Sequence, residues 1–546
     1  MPKISLKKVL LSILLFTLSA SVFSTDTNVK ALVPHSDTAI PAEIKTIMNK
    51  PMYKNATWSL RVTDRDTGKE LLSLNSDNQL FIGSVRKLFS VGELLNALGP
   101  EYRSETTVHK DGEIQNGTLK GNLVLVASGD LTMGGRTLPN GDIAFTDFDH
   151  NEANTLGNAI LTKPNPLAGY QQLAKQIKDS GINAIDGDVI IDDRLFEAFN
   201  FRNEFDVTPI FVNDDVVDVI INPGNIQENA EIDWRPKSSA LNVINNLNTV
   251  SSSQKYTLQM APAIPLCIGK ADCYGTIKGD LPQKFSPPLT NAFPLIQTFR
   301  ITKPSNYART LLIELLDKEG VDVSKVTKIK NNPTTLLKES RFYSNVNQIA
   351  QLKSLSYLEH AKFILKVSYN IGADTSLMLL GLTKGAHTMA DSLLVEQKLL
   401  QEHYGVSPTN YHFIDGSGGG DTTASSRVLT KWLEIMAQKP ISQQFTHALP
   451  ILAVDGSLGF VNHFQKDPTL AGAAGNVFAK TGTYVLNEKS GMMIKGQAFA
   501  GYIKSKNNRH LAFDIIVNAV PMNSLDTLLD VFQDQGTISA LLWRDL

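Results

Sequence analysis

The chain has 546 residues, 52 Lys+Arg against 54 Asp+Glu, a formal net charge of −2, and 42% hydrophobic against 19% charged residues. That balance excludes a disordered chain and a polytopic membrane protein, and at about 150 residues per domain it asks for about three domains. Near-neutrality gives no electrostatic footprint for nucleic acid, and 2 cysteines exclude a disulfide scaffold or a multi-cysteine metal site.

Residues 1–24 read as an export leader. Lys3, Lys7 and Lys8 precede an almost wholly apolar run from Val9 to Leu18, and Val22 and Ser24 suit the −3 and −1 positions of a cleavage site. The run is short for a bilayer span; an uncleaved anchor is the alternative. Removing the leader takes away three Lys and no acid, which moves the charge from −2 to −5. The mature chain is expected to be periplasmic, with peripheral membrane contact at most. The apolar stretch Ile538–Trp543 reads as a core helix rather than a membrane-touching one.

Ser84-Val-Arg-Lys87 opens a helical pattern in which Val85, Leu88, Val91, Leu94, Leu95 and Leu98 share one face, and Gly99-Pro100 ends it. Ser84 then sits at the helix start with Lys87 one turn on, which suits a nucleophilic serine with a lysine as proton acceptor. The amine must be neutral, which needs desolvation or a nearby cation. The bland alternative is an N-cap serine with a solvated lysine, and Ser-x-x-Lys recurs at Ser5–Lys8 and Ser252–Lys255 without such a context.

Between these motifs and the next, Gly134–Leu167 reads as a loop-rich elaboration. Its Asp147, Asp149 and His150 are expected to be solvated rather than metal-binding. Cys267 and Cys273, six positions apart across Gly269 and Asp272, are expected to pair in an exported protein, with two free thiols as the alternative.

Ser368-Tyr-Asn370 follows a helical stretch, Ser356 to Val367, and reads as a short loop that presents a hydroxyl and a carboxamide together. Lys480-Thr-Gly-Thr483 reads as a strand, and Gly482 there permits close approach of another backbone. A helix-joining loop and a lysine-protected edge strand are the bland readings.

Taken in order, the three motifs resemble those of penicillin-binding proteins and serine β-lactamases. Ser84 and Ser368 lie 284 positions apart but Ser368 and Lys480 only 112, which leaves about 200 residues for inserted domains. With that insertion the chain is similar to the D-alanyl-D-alanine carboxypeptidase/endopeptidase family. The likeness extends to Ala97–Val108, Gly121–Asp130, Ile185–Asp193, Asp415-Gly-Ser-Gly418 and Asp455-Gly-Ser457. It departs at Tyr369, where the family usually has an acid or small polar residue, and at the Gly-Gly-Asp-Thr-Thr that follows Gly418.

The resemblance implies an α/β (α+β) transpeptidase-like fold: an antiparallel sheet flanked by helices, with inserted β-rich domains. Residues 25–104 and 351–546 would form the catalytic domain and residues 105–350 the insertion. It further implies Ser84 as nucleophile, Lys87 as base assisted by the charge of Lys480, and Ser368 as proton relay. Asn370, Lys480, Thr481 and Thr483 would bind substrate, without a metal or other cofactor. The implied partners are peptidoglycan stem peptides and β-lactam antibiotics. A serine β-lactamase and a non-catalytic peptidoglycan-binding scaffold are the rivals. Glu396, Glu402 and Glu434 lack the Asn four positions on that a class A lactamase would show.

Overall fold

The computed structural model describes residues 37–343, 345–488 and 491–546, so the leader lies outside the described residues. Strands from the two ends of this span share one antiparallel sheet, in the spatial order Val477–Glu488, Gly491–Lys504, His510–Met522, Thr57–Asp64, Glu70–Leu74. The register sets Lys480 opposite Ala500 and Leu60 opposite Ile515.

Both faces of this sheet are covered, which the side-chain alternation of a strand makes visible. Along His510–Met522, Ala512 and Ile516 enter one core, while Leu511, Phe513, Ile515 and Val517 enter the other. The second core is closed by the helices Ala42–Met48 and Leu525–Asp545. Ile538, Leu542 and Trp543 are buried in it, so the apolar C-terminal stretch is a core helix. Among the described residues no helix is long and apolar enough to cross a membrane.

The first core holds the helices Lys87–Leu98, Tyr357–Val367, Asn370–Leu382 and Ser426–Ala437. Val85, Leu88, Val91, Leu94 and Leu95 are fully buried there, as their spacing requires. A 3₁₀ turn, Gly83–Arg86, precedes the α-helix, so Ser84 sits on the tighter turn and Lys87 on the first helical residue.

Between residues 105 and 353 the chain builds a third core of its own. Glu105–Gln115 and Thr118–Val126 form a hairpin whose two-residue turn, Asn116-Gly117, has positive φ at both positions (49° and 77°). Val189–Asp192 runs parallel to the second strand, and Gln348–Lys353 returns antiparallel to the first. Two further three-stranded sheets and the helices Ala168–Asp179 and Pro304–Lys318 complete this part. Cys267 and Cys273 are disulfide-bonded within it. Phe196, Phe199, Phe201, Phe205 and Phe211 leave it to join the helical core, so this segment is seated directly on the helices that carry the motifs.

Candidate active site

The helix Tyr357–Val367 ends at Ser368, whose φ of 64° reverses the chain. Asn370 then begins the next helix, so the second motif is a helix junction rather than a loop, and Asn370 is held by helical backbone. Gly372 is a helix-packing glycine: a Cβ there would lie 2.6 Å from the Tyr369 ring and 2.8 Å from Ile364.

The third motif is on the edge strand of the central sheet and passes hard against the Gly83–Arg86 turn. A Cβ on Gly482 would lie 2.0 Å from the Ile82 carbonyl oxygen and 3.0 Å from the Ser84 nitrogen. One on Gly83 would lie 2.9 Å from the Thr483 nitrogen. Glycine at both positions therefore brings the backbone nitrogens of Ser84 and Thr483 to one patch. Gly418 (φ 94°) closes on the same turn, where a Cβ would meet the Gly83 carbonyl oxygen at 2.0 Å.

At the centre is Lys87, with no solvent exposure. Its Nζ lies 2.5 Å from Ser84 Oγ, 2.7 Å from Asn370 Oδ1, 3.1 Å from the Ser417 carbonyl oxygen and 3.2 Å from Ser368 Oγ. Lys480, also fully buried, donates to Ser368 Oγ at 2.9 Å and to the Thr481 carbonyl at 2.7 Å. Thr481 Oγ1 is 2.7 Å from Ser457 Oγ, and Thr483 Oγ1 donates to Gln497 Oε1 at 2.6 Å. All seven residues singled out in the sequence thus meet at one place: Ser84, Ser368, Asn370 and Thr483 partly exposed, with Lys87, Lys480 and Thr481 buried behind them.

Burial pulls the Lys87 ammonium down to about 7, and the guanidinium of Arg202 adds to the effect. Arg202, a residue of the inserted segment, is thus a cation acting on Lys87 beside the Lys480 to which the motif pattern points. Lys480 is itself driven well below the usual lysine range, first by burial and then by Lys87.

The two glycine turns also reach the site. Asp415 accepts from the backbone nitrogens of Ser417, Gly418 and Gly419 (3.0, 2.6 and 2.9 Å), which fixes the carbonyl that meets Lys87. Arg86 Nε holds the Asp415 carbonyl at 2.9 Å and its guanidinium pairs with buried Glu396, so that glutamate is a structural partner. Lys366 Nζ fixes Asp455 at 2.7 and 2.8 Å, and Asp147 Oδ1 accepts from the Gly456 nitrogen at 2.8 Å.

Asp147 is one of three contacts that sequence reasoning missed. Glu152 Oε1 accepts from Asn370 Nδ2 at 3.3 Å, and Arg202 Nη2 donates to Ser417 Oγ at 3.4 Å. All three residues come from the inserted segment. Glu152, Arg202 and Arg300 line a cavity of about 260 Å³ that also borders Tyr369 and Asn370.

The expectation of a solvated loop around Asp149 and His150 is overturned. Both are buried, and Arg136 donates to Asp149 (2.7 and 2.9 Å) and Asp214 (2.8 Å). His150 Nδ1 and Nε2 lie 2.6 Å from Asp218 and 2.8 Å from Asp214. Asp149, His150 and Asp214 are close enough together to hold a metal ion, but the guanidinium of Arg136 already occupies the carboxylates of Asp149 and Asp214. A buried cation paired to two carboxylates is the ordinary way for such charges to be stable.

A family model described as D-Ala-D-Ala carboxypeptidase 3 (S13) matches residues 40–534. The D-alanyl-D-alanine carboxypeptidase of Actinomadura sp. (strain R39) is 22% identical over 509 residues, covering 88% of this chain and 81% of that protein. D-alanyl-D-alanine carboxypeptidase DacB of Haemophilus influenzae is 21% identical over 472 residues, 83% of each. Penicillin binding protein 4 (dacB) of Haemophilus influenzae superposes with a TM-score of 0.67 at 17% identity, covering 92% of this chain and 100% of that one. The same protein complexed with a novel β-lactam gives 0.65. These solved structures share the fold that the motif order implied.

Proposed function

The chain belongs to the D-Ala-D-Ala carboxypeptidase 3 (S13) family, and from this premise we propose that it cleaves D-Ala-D-Ala ends or cross-links of peptidoglycan stem peptides through an acyl-enzyme on Ser84. One observation carries the reading: a fully buried lysine amine, 2.5 Å from a serine hydroxyl and within reach of Ser368 and Asn370.

Lys87, held near neutrality by burial and Arg202, takes the proton of Ser84 Oγ as the oxygen attacks the carbonyl between the two D-alanines. The backbone N–H groups of Ser84 and Thr483 face the developing oxyanion; one such donor contributes about 3 kcal/mol to barrier lowering. As the tetrahedral intermediate collapses, the proton on Lys87 passes through Ser368 to the departing amine, and D-alanine leaves. Asn370 orients the peptide. Lys480, Thr481 and Thr483 receive the terminal carboxylate. Water then attacks the ester and returns Ser84. Export to the periplasm fits the basic and apolar start of the chain.

The test is to incubate the mature protein with a muropeptide ending in D-Ala-D-Ala and with a cross-linked dimer. Release of D-alanine or opening of the cross-link, lost in Ser84→Ala, is the expected result. Rapid turnover of penicillin without action on either muropeptide would favour a β-lactamase, and inertness toward all three a scaffold.

A further inference from the structure

The inserted segment does more than sit beside the motifs. The 3₁₀ turn His150–Glu152 follows Asp149 directly, and the Glu152 nitrogen donates to the Asp149 carbonyl at 3.3 Å. Arg136 fixes Asp149, and Asp214 and Asp218 fix His150, so one end of the turn is anchored in a buried charge cluster. The other end presents the half-buried Glu152 carboxylate to the Asn370 amide.

We propose that Glu152 is a positioning residue for Asn370, supplied by the insertion to fix which way its carboxamide points. An Asn amide has two ends of nearly equal shape, one accepting and one donating. Lys87 Nζ meets Oδ1 at 2.7 Å, and Glu152 Oε1 meets Nδ2 at 3.3 Å. An ionised carboxylate only accepts, so it satisfies the Nδ2 end and opposes the flipped amide. With Oδ1 on the lysine and one N–H on Glu152, the second N–H of Nδ2 is left for a peptide carbonyl. The same cluster braces the residue before Asn370. The Tyr369 hydroxyl reaches the Asp214 carbonyl at 3.4 Å, and Arg136 lies over the Phe363 ring, which packs on Tyr369. Tyr369, the departure from the family pattern, is 2% exposed and serves this docking.

The proposal rests on the reading of Asn370 as the group that orients substrate, and a double-mutant cycle separates the two. The rate of Ser84 acylation by a labelled penicillin, and kcat and KM for D-alanine release from a D-Ala-D-Ala muropeptide, are measured for five proteins. These are the wild type, Glu152→Ala, Glu152→Gln, Asn370→Ala and the Glu152→Ala/Asn370→Ala double variant. Loss of one hydrogen bond to a charged group is expected to slow acylation about tenfold in Glu152→Ala. The fall should appear in kcat more than in KM. Glu152→Gln, whose Oε1 still accepts, should recover most of the rate. In the Asn370→Ala background the same Glu152→Ala change should cost less than about twofold, because its effect runs through an amide that is gone. An equal cost in both backgrounds, a Gln variant as slow as Ala, or no effect of Glu152→Ala would overturn the proposal. No effect of Asn370→Ala would overturn the reading of Asn370 and this proposal with it. Absence of label on wild-type Ser84 would mark failure of the active-site assignment itself.

Discussion

Arg202 Nη2 lies 3.4 Å from the hydroxyl of Ser417, 215 positions away in the chain, and the carbonyl of that serine receives the Lys87 amine at 3.1 Å. A guanidinium of the insertion is thereby held close behind the base of the candidate site. Its charge opposes protonation of Lys87 and adds to the effect of burial. Acylation needs the neutral amine, so its rate should fall as pH drops through about 7. In Arg202→Gln the opposing charge is gone and the amine holds its proton more tightly. The midpoint of the acid limb should therefore move upward by about half a unit. The check is the pH dependence of penicillin acylation; an unmoved midpoint in Arg202→Gln contradicts the assignment.

Gly482 is a point where space decides function. An Ala side chain there would meet the Ile82 carbonyl oxygen at 2.0 Å, a backbone atom with no rotamer to yield. The strand has to retreat from the turn and take the Thr483 nitrogen with it. Loss of one oxyanion donor costs about 100- to 1,000-fold, so Gly482→Ala should acylate that much more slowly. Stopped-flow labelling reads the rate, and far-ultraviolet circular dichroism checks that the sheet survives.

The charge cluster of the insertion should make stability pH-dependent. Burial alone would pull the His150 proton off, but the carboxylates of Asp218 and Asp214 outweigh it and hold the group up to about 9. In the unfolded chain a histidine titrates near 6.5. The folded state therefore binds the proton more tightly. This contribution is complete below the unfolded value and is lost as pH rises through the folded one. Urea unfolding between about pH 6.5 and 9 should show wild-type stability falling, and His150→Gln should flatten that slope. Equal slopes in the two proteins would count against a charged His150.

The disulfide is a staple remote from the chemistry. Cys267 and Cys273 close a loop of sequence separation 6, with Cys273 buried in the core of the insertion. Replacing both with Ser should lower stability by about 2 kcal/mol, seen as a lower urea midpoint. Penicillin labelling of the folded variant should match wild type.

What the sequence made legible is what is local. Ser84 and Lys87 are one turn apart on a helix whose apolar spacing is plain, and Lys480 to Thr483 are contiguous on a strand. Their order and spacing therefore make the fold legible and point to the candidate site. Asn370 reads as a loop residue in the sequence, whereas it opens a helix in which Gly372 lets Tyr369 and Ile364 pack. Asp147, Glu152 and Arg202 left no such trace. Each touches a motif 200 or more positions away, and no periodicity marks a single contact across that distance. Asp149 and His150 look solvated as long as Arg136, Asp214 and Asp218 are separate letters. The one available signal was three acids, Asp214, Asp215 and Asp218, set in or beside the apolar run Val216–Ile221, a place where acids survive only if paired.

The most direct test is mass spectrometry of the intact and digested mature protein after incubation with penicillin. A single long-lived acyl adduct on the peptide that carries Ser84, abolished in Ser84→Ala and much slowed in Lys87→Ala, is the result expected. An adduct on another residue, or one that persists in Ser84→Ala, would contradict the account.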